Sequence, residues 1–252
     1  MIRLLAKENA ELLAQLAWSR VLLGFDFDGT LAPIVTNRDR AAMRPETAEL
    51  FAAVCDRYPC AVISGRSKAD VTERLGGCAV RYVIGNHGLE PGAGLGEFER
   101  EMRDALASLS STLAGLGGVD LEDKRYSVAV HYRRSRTKRT TRSAILRAVE
   151  QLGTPMRVVP GKLVINVIPQ RAPNKGDALL GLRTLEGAHT AFYAGDDVTD
   201  EDVFRIDQPG RLLSVRVGES RGSAAKYFLR HQREVDLLLA RLVTLRPHEA
   251  SR

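Results

Sequence analysis

Two carboxylates one residue apart, Asp26 and Asp28, follow directly on the short apolar run Val21-Leu22-Leu23-Gly24-Phe25, and Gly29-Thr30 come next. Residues i and i+2 of an extended chain share a side, and strands of an open α/β sheet present their C-terminal tips to the ligand crevice. Acids placed there can divide the labour: one attacks an electrophile while the other moves protons. Carboxylates this close repel each other, and a divalent cation is the natural way to keep both ionised. Alone, the pair describes a solvated turn in which Asp caps the next helix equally well.

Three more apolar runs end in complementary groups. Cys60-Ala61-Val62-Ile63 is followed by Ser64-Gly65-Arg66, and its continuous apolar character suits a strand buried on both faces. Ser67 and Asp70 have the spacing of a capping box for the helix after it. Pro173-Asn174 precede a helical apolar pattern, which puts Lys175 in the first turn of a helix, where a cation opposes the helix dipole unless anions compensate it. Thr190-Ala191-Phe192-Tyr193-Ala194-Gly195 runs into Asp196, Asp197, Asp200, Glu201 and Asp202. Thr199 with Asp202 fits a capping box, which leaves Asp196 and Asp197 at the tip without a structural reason. Oxygen ligands without a clustered Cys/His set point to Mg²⁺.

These elements, in this order, resemble the haloacid dehalogenase-like phosphotransferase superfamily, whose four motifs correspond to Asp26-x-Asp28-Gly29-Thr30, Ser64, Lys175 and Gly195-Asp196-Asp197-x-x-Asp200. The resemblance covers about residues 20 to 218. It implies Asp26 as the nucleophile of an aspartyl-phosphate and Asp28 as the acid that protonates the leaving alcohol and then activates water. It also implies Ser64 and Lys175 on the phosphoryl oxygens, and Mg²⁺ held by Asp26, the Asp28 carbonyl and Asp196, with Asp197 and Asp200 acting through water.

The fold class that follows is α/β: a Rossmann-like haloacid dehalogenase core, in two parts over residues 1–92 and 170–252, with a smaller α/β cap domain inserted at 93–169. Core strands are expected near 21–25, 60–63, 81–84, 190–194 and 212–217, and the apolar spacing of 223–245 suggests core helices broken near His231. The cap pattern reads as a helix over 97–113, strands at 118–123 and 125–132, a helix at 139–152, and strands at 156–159 and 163–168. Such a layer would serve as a lid that excludes bulk water from phosphoryl transfer.

Within the superfamily the chain resembles the trehalose-6-phosphate phosphatases. The shared stretches are Gly85-Asn86-His87-Gly88-Leu89-Glu90, then Glu122-x-Lys124-x-x-Ser127-x-Ala129-x-His131-Tyr132-Arg133, Gly161-Lys162-x-Val164, and Gly195-Asp196-Asp197-x-Thr199-Asp200-Glu201-Asp202-x-Phe204. The resemblance implies Glu122, Lys124, His131, Arg133 and Lys162 near the sugar or phosphate, with Asn86, His87, Arg66 and Asn166 as further substrate-binding candidates. Where the family usually has Glu, an apolar residue and a basic residue before Pro, this chain has Asn166-Val167-Ile168-Pro169. Asn keeps hydrogen bonding but loses charge and reach, so another disaccharide phosphate, a glucosyl-polyol phosphate or a modified hexose phosphate is the alternative substrate.

The 252 residues carry a net charge of +6. The basic density concentrates in Arg133, Arg134, Arg136, Lys138, Arg139 and Arg142, without the aromatic interleaving of a nucleic-acid reader. A solvated face that attracts anionic metabolites explains it better, and nucleic acid is the weaker partner reading. A sugar-phosphate sensor is disfavoured because both Asp26 and Asp28 are intact, and no obligate protein partner is evident. Cys55, Cys60 and Cys78 have no metal-ligand spacing, and their odd number suits a reducing cytoplasm. The stretch from Arg3 to Arg20 reads as an amphipathic helix without the apolar core of a signal peptide or membrane span.

Overall fold

The computed structural model describes residues 1–92, 94–161, 163–206 and 208–247. They form two compact units, one made of 1–88 with 174–252 and the other of 89–173. From the N-terminus the chain runs through β1 (Ile2–Arg3), α1 (Ala10–Trp18), β2 (Val21–Phe25), α2 (Pro45–Cys55), β3 (Cys60–Ile63), α3 (Lys68–Arg74) and β4 (Tyr82–Ile84). The second unit holds α4 (Leu95–Leu113), β5 (Asp120–Asp123), β6 (Val128–His131), α5 (Lys138–Glu150), β7 (Met156–Gly161) and β8 (Val164–Pro169). The chain then returns to the first unit with α6 (Lys175–Leu185), β9 (Thr190–Gly195), α7 (Glu201–Phe204), β10 (Leu212–Val217), β11 (Tyr227–Leu229) and α8 (Glu234–Leu245).

The first unit is built on a seven-stranded sheet in the order β1-β11-β10-β9-β2-β3-β4, every pair parallel. Alternation along the strands sends Val21, Leu23 and Phe25 of β2 to one face and Leu22 to the other. The first face packs against α1, α2 and α8 through Leu13, Leu16, Phe51, Val54, Leu238 and Leu242, and the second packs against α6 and α7 through Leu179, Leu182, Val203 and Phe204. Burial on both faces explains why the central strands are apolar throughout. The order places the tips of β2, β3 and β9 side by side, because β2 is the shared neighbour of the other two. No helix of the described residues is long and apolar enough to cross a membrane.

The second unit is a four-stranded antiparallel sheet, β5-β6-β8-β7. Val128, Val130, Ile165 and Val167 point to α4 and α5, meeting Met102, Leu109, Leu113, Ile145 and Val149. A smaller apolar cluster gathers Leu89, Phe98, Tyr126, Val159, Ile168 and Ala172.

Three sequence expectations change. The tail is not helical throughout: Tyr227–Leu229 form a strand between β10 and β1, and only Glu234–Leu245 are α-helical. A three-residue apolar run carries no period of its own, and here long-range pairing decides its conformation. The same pairing draws Ile2–Arg3 into the sheet, so the N-terminal α-helix begins only at Ala10. In the second unit β6 begins only at Val128, because the chain turns at Arg125, where φ is 68°; Arg133 lies exposed beyond its other end.

Ile168 is fully buried in the smaller cluster. Ile168→Lys would strand an ammonium among apolar groups, and we expect a loss of about 3 kcal/mol or more. Gln170→Lys, on an exposed position of the same segment, should stay within about 0.5 kcal/mol. Chemical denaturation of both variants checks this, and equal effects would contradict the packing argument.

Candidate active site

Asp26 continues the β2 ladder, its N–H donating to the Ala194 carbonyl of β9 at 2.8 Å, so the two tips are tied together. The chain then turns sharply, with Gly29 N donating to Ala32 O at 2.7 Å and Ala32 N to Phe27 O at 2.8 Å. On the facing helix, Asn174 and Asp177 form a reciprocal capping box at the start of α6, which fixes where Lys175 leaves the backbone. Lys175 is 1% exposed. Its Nζ donates to Asp26 Oδ1 at 2.8 Å and to Asp200 Oδ1 at 2.7 Å, and these two anions outweigh the unfavourable helix end.

Asp200 is held on every side. Tyr193 Oη donates to its Oδ1 at 2.8 Å and the Asp197 N–H to its Oδ2 at 2.9 Å. The capping box of this turn is therefore Asp197 with Asp200, not the expected Thr199 with Asp202. Both pairs have the required spacing, and the burial of Asp200 decides between them. Two glycines admit the acids: a Cβ at Gly29, where φ is +83°, would lie 2.1 Å from Asp196 Oδ2, and one at Gly195 would lie 2.2 Å from Asp200 Cγ.

Asp26, Asp196 and Asp200 bring carboxylate oxygens within 4.8 Å of one another. Burial first, opposed by Lys175 and reinforced by Asp200, raises the Asp26 pKa to about 7. Burial followed by the charges of Asp26, Asp200 and Asp197 raises Asp196 to about 9. Asp196 Oδ1 is buried without a hydrogen-bond partner among the described residues. Three acids facing one lysine, with an unanswered carboxylate oxygen, fit a hard divalent cation. Asp200 thus belongs to the carboxylate cluster, while Asp197 is exposed outside it.

Asp28 faces a different partner. Arg66 Nε donates to its Oδ2 at 2.6 Å and Arg66 Nη2 to its Oδ1 at 2.7 Å, a bidentate pair, while Nη1 reaches Asp70 Oδ2 at 2.7 Å. Arg66, expected as a substrate contact, here spends its fork on two acids. Ser64 is buried, and its Oγ accepts from Arg66 N at 3.1 Å. The turn after β4 is strapped to this loop, with Asn86 N donating to Arg66 O at 2.7 Å and His87 N to Ser64 O at 2.9 Å. Asn86 and His87 adopt φ of 47° and 59°, a left-handed conformation uncommon outside glycine and sustained only by its surroundings.

In the second unit, Glu122 Oε2 and His131 Nε2 are 2.9 Å apart. Asn166 sits opposite Ala129 in register, accepting from Lys124 Nζ at 3.4 Å and donating to the Val159 carbonyl at 3.4 Å. Glu122 also lies opposite Ala129, so Glu122 and Asn166 flank a small residue on one row of the sheet. Lys162 lies outside the described residues. Sequence reading missed Tyr193, and it gave Asp70 only as a cap with Ser67, not as a partner of Arg66. For Tyr193 a signal was present: a phenol inside an otherwise apolar buried strand calls for a hydrogen-bond partner.

Comparison with known proteins places this geometry in context. A family model described as "Trehalose-phosphatase" matches residues 24–233. The chain is 38% identical over 200 residues to a trehalose-phosphate phosphatase of Mycobacterium tuberculosis, an alignment covering 73% of this chain and 51% of that protein. It is 33% identical over 238 residues to one of Mycobacterium ulcerans, covering 87% and 60%. The chain thus spans about half the length of the first of these relatives. Among solved structures, the C-terminal domain of the Candida albicans trehalose-6-phosphate phosphatase superposes with a TM-score of 0.76 at 21% identity, covering 96% of this chain and 98% of that one, which supports the shared fold. Matched by the family model over residues 24–233 and 38% identical over 73% of its length to one of the relatives, the chain belongs to the trehalose-phosphatase family.

Proposed function

We propose that this chain is a magnesium-dependent phosphatase that releases phosphate from trehalose 6-phosphate by way of an aspartyl-phosphate on Asp26. The observation that carries the reading is the buried Asp26 carboxylate, held by Lys175 beside Asp196 at the meeting of two strand tips, in a chain of this family. Asp26, Asp196 and the Asp28 carbonyl would hold the metal. Asp200, whose oxygens already accept from Lys175, Tyr193 and Asp197, acts as an anchor. When bound, magnesium neutralises the approach of an anionic phosphate to an anionic nucleophile.

In the first step an Asp26 oxygen bonds to phosphorus, the bond from phosphorus to the sugar oxygen breaks, and Asp28 gives its proton to that oxygen. To act as an acid, Asp28 must exchange one of its two Arg66 bonds for a proton. In the second step Asp28 takes a proton from water, whose oxygen attacks phosphorus and releases Asp26. Lys175 and Ser64 would stabilise the equatorial oxygens, where charge spreads in the transition state. Sugar recognition falls to Glu122, Lys124, His131, Arg133, Lys162 and Asn166, with Asn86 and His87 supplying loop contacts. The three free cysteines are consistent with a reducing, cytoplasmic setting.

A panel of phosphate esters tests the assignment: turnover of trehalose 6-phosphate should exceed that of glucose 6-phosphate and other sugar phosphates, and no preference would remove the substrate while leaving the chemistry. Asp26→Asn should lower turnover at least ~10³-fold, because an amide cannot supply the attacking oxygen. EDTA should stop the reaction and Mg²⁺ restore it; full activity without metal would contradict the electrostatic argument.

The raised acids also predict a stability profile. Asp26 and Asp196 are raised from 3.8 to about 7 and about 9, so the metal-free folded chain binds more protons than the unfolded one across that window. Stability from these groups is therefore fullest below the unfolded pKa and declines as pH rises towards the folded values. Mg²⁺ should raise the melting temperature more at about pH 8 than at about pH 5. Asp196→Asn should remove the Mg²⁺ increment and leave the metal-free protein more stable at the higher pH. A melting-temperature series with and without Mg²⁺ reads both, and a pH-independent increment would contradict the profile.

Asn166→Ala should lower kcat/KM for trehalose 6-phosphate by roughly tenfold, about 1.4 kcal/mol. An aryl phosphate, which needs no sugar contact, should be nearly unaffected. Equal losses on both substrates would assign Asn166 to folding or to chemistry.

A further inference from the structure

The segment that carries Asp196 is secured by a side chain of the neighbouring strand. Arg216 lies on β10 opposite Gly195 of β9. Its Nη2 donates to the Asp196 carbonyl at 2.6 Å, and its Nη1 donates to the Asp197 carbonyl at 3.4 Å and to Glu201 Oε1 at 3.2 Å. Glu201 is fixed in turn, its Oε2 accepting from Ala224 N at 2.9 Å. The arginine side chain is 16% exposed and the glutamate 7%, so the pair is largely shielded from water.

An arginine flanked by the buried Val215 and Val217 serves no packing need that an apolar residue would not meet. A planar guanidinium can grip two main-chain carbonyls and a carboxylate at once, which a lysine point charge cannot. The carbonyls it grips belong to the residue whose carboxylate oxygen is buried and unanswered, and to the next one. Asp196 is also crowded by Asp26 and Asp200, and repulsion would turn its carboxylate away unless its backbone were held.

We propose that Arg216 is a positioning residue for the divalent cation: by tying the Asp196 and Asp197 carbonyls to Glu201, it aims the Asp196 carboxylate at the metal. The inference rests on the magnesium reading above. Residues that orient metal ligands typically change affinity 10- to 100-fold when removed, and Arg216 has that relation to Asp196 through the backbone.

The test is Mn²⁺ titration of the metal-free protein, followed by electron paramagnetic resonance of free Mn²⁺, with the melting temperature recorded alongside. Arg216→Gln should weaken Mn²⁺ binding by about tenfold or more. Once Mn²⁺ is saturating, KM for an aryl phosphate should stay near the wild-type value. Arg216→Lys keeps the charge but cannot span both carbonyls. It should bind Mn²⁺ several-fold more weakly at a near-native melting temperature, and it provides the reading if the Gln variant does not fold. Wild-type Mn²⁺ affinity in a folded Arg216 variant would overturn the inference, including when only the melting temperature falls. Asp196→Asn separates the two levels: if it too binds Mn²⁺ as tightly as wild type, the cation site itself is misassigned, and the role of Arg216 falls with it.

Discussion

One buried lysine sets the terms for the first unit. Lys175 Nζ lies between Asp26 and Asp200 with almost no access to water, and an ammonium in that position is tolerable only because both anions bond to it directly. The reverse also holds, since the two carboxylates would be costly without the lysine. The arrangement leaves an Asp196 carboxylate oxygen without a hydrogen-bond partner among the described residues, and this residual imbalance invites a cation. Everything nearby serves that geometry: the capping box that launches α6 from Asn174, the β2–β9 pairing that brings the two tips together, and the glycines that let carboxylates approach the backbone.

Two arginines take complementary parts around this charge pattern. Arg66 grips a side chain, Asp28, with both arms of its fork and leans on Asp70 with the third nitrogen. Arg216 grips the main-chain carbonyls of Asp196 and Asp197 and leans on the Glu201 carboxylate. The first therefore fixes the Asp28 carboxylate, and the second ties down the backbone that carries Asp196. The acids at one set of strand tips are thereby kept distinct in role although their chemistry is the same.

Much of this was legible in the chain itself. Strands buried on both faces announced themselves as apolar runs, the acids and Ser64 stood where such runs ended, and Lys175 opened a helical pattern. What stayed hidden depended on contacts between distant residues. The Arg66–Asp28 pair joins positions whose local patterns are silent about each other. Tyr227–Leu229 read as helix because three apolar residues fit either period, and only the presence of β10 and β1 on its two sides settles the matter. The turn after β9 offered two pairs with capping spacing, and the phenol of Tyr193, reaching Asp200 from within the sheet, favours one of them. In the second unit Val128 and Val130 face the helices, and the expected strand ended before Arg133 as it does, but nothing local announced the turn at Arg125 that delays its start to Val128.

The interrupted chain of the first unit has a consequence for biosynthesis. Residues 89–173 contain every strand of their own sheet and can close it as soon as they are made. The first unit cannot do so: Val21 pairs with Thr190 and Phe25 with Ala194, so β2 and β3 emerge from the ribosome long before the strand that completes their centre. Until then one edge of an apolar sheet stays open, the kind of surface on which nascent chains associate wrongly or recruit chaperones. The carboxylate at the tip of β2 shares this wait. Asp26 is translated early, yet its lysine arrives with residue 175 and its acidic neighbours only at 196 and 200, so the charge balance around it is completed only after most of the described chain has been made.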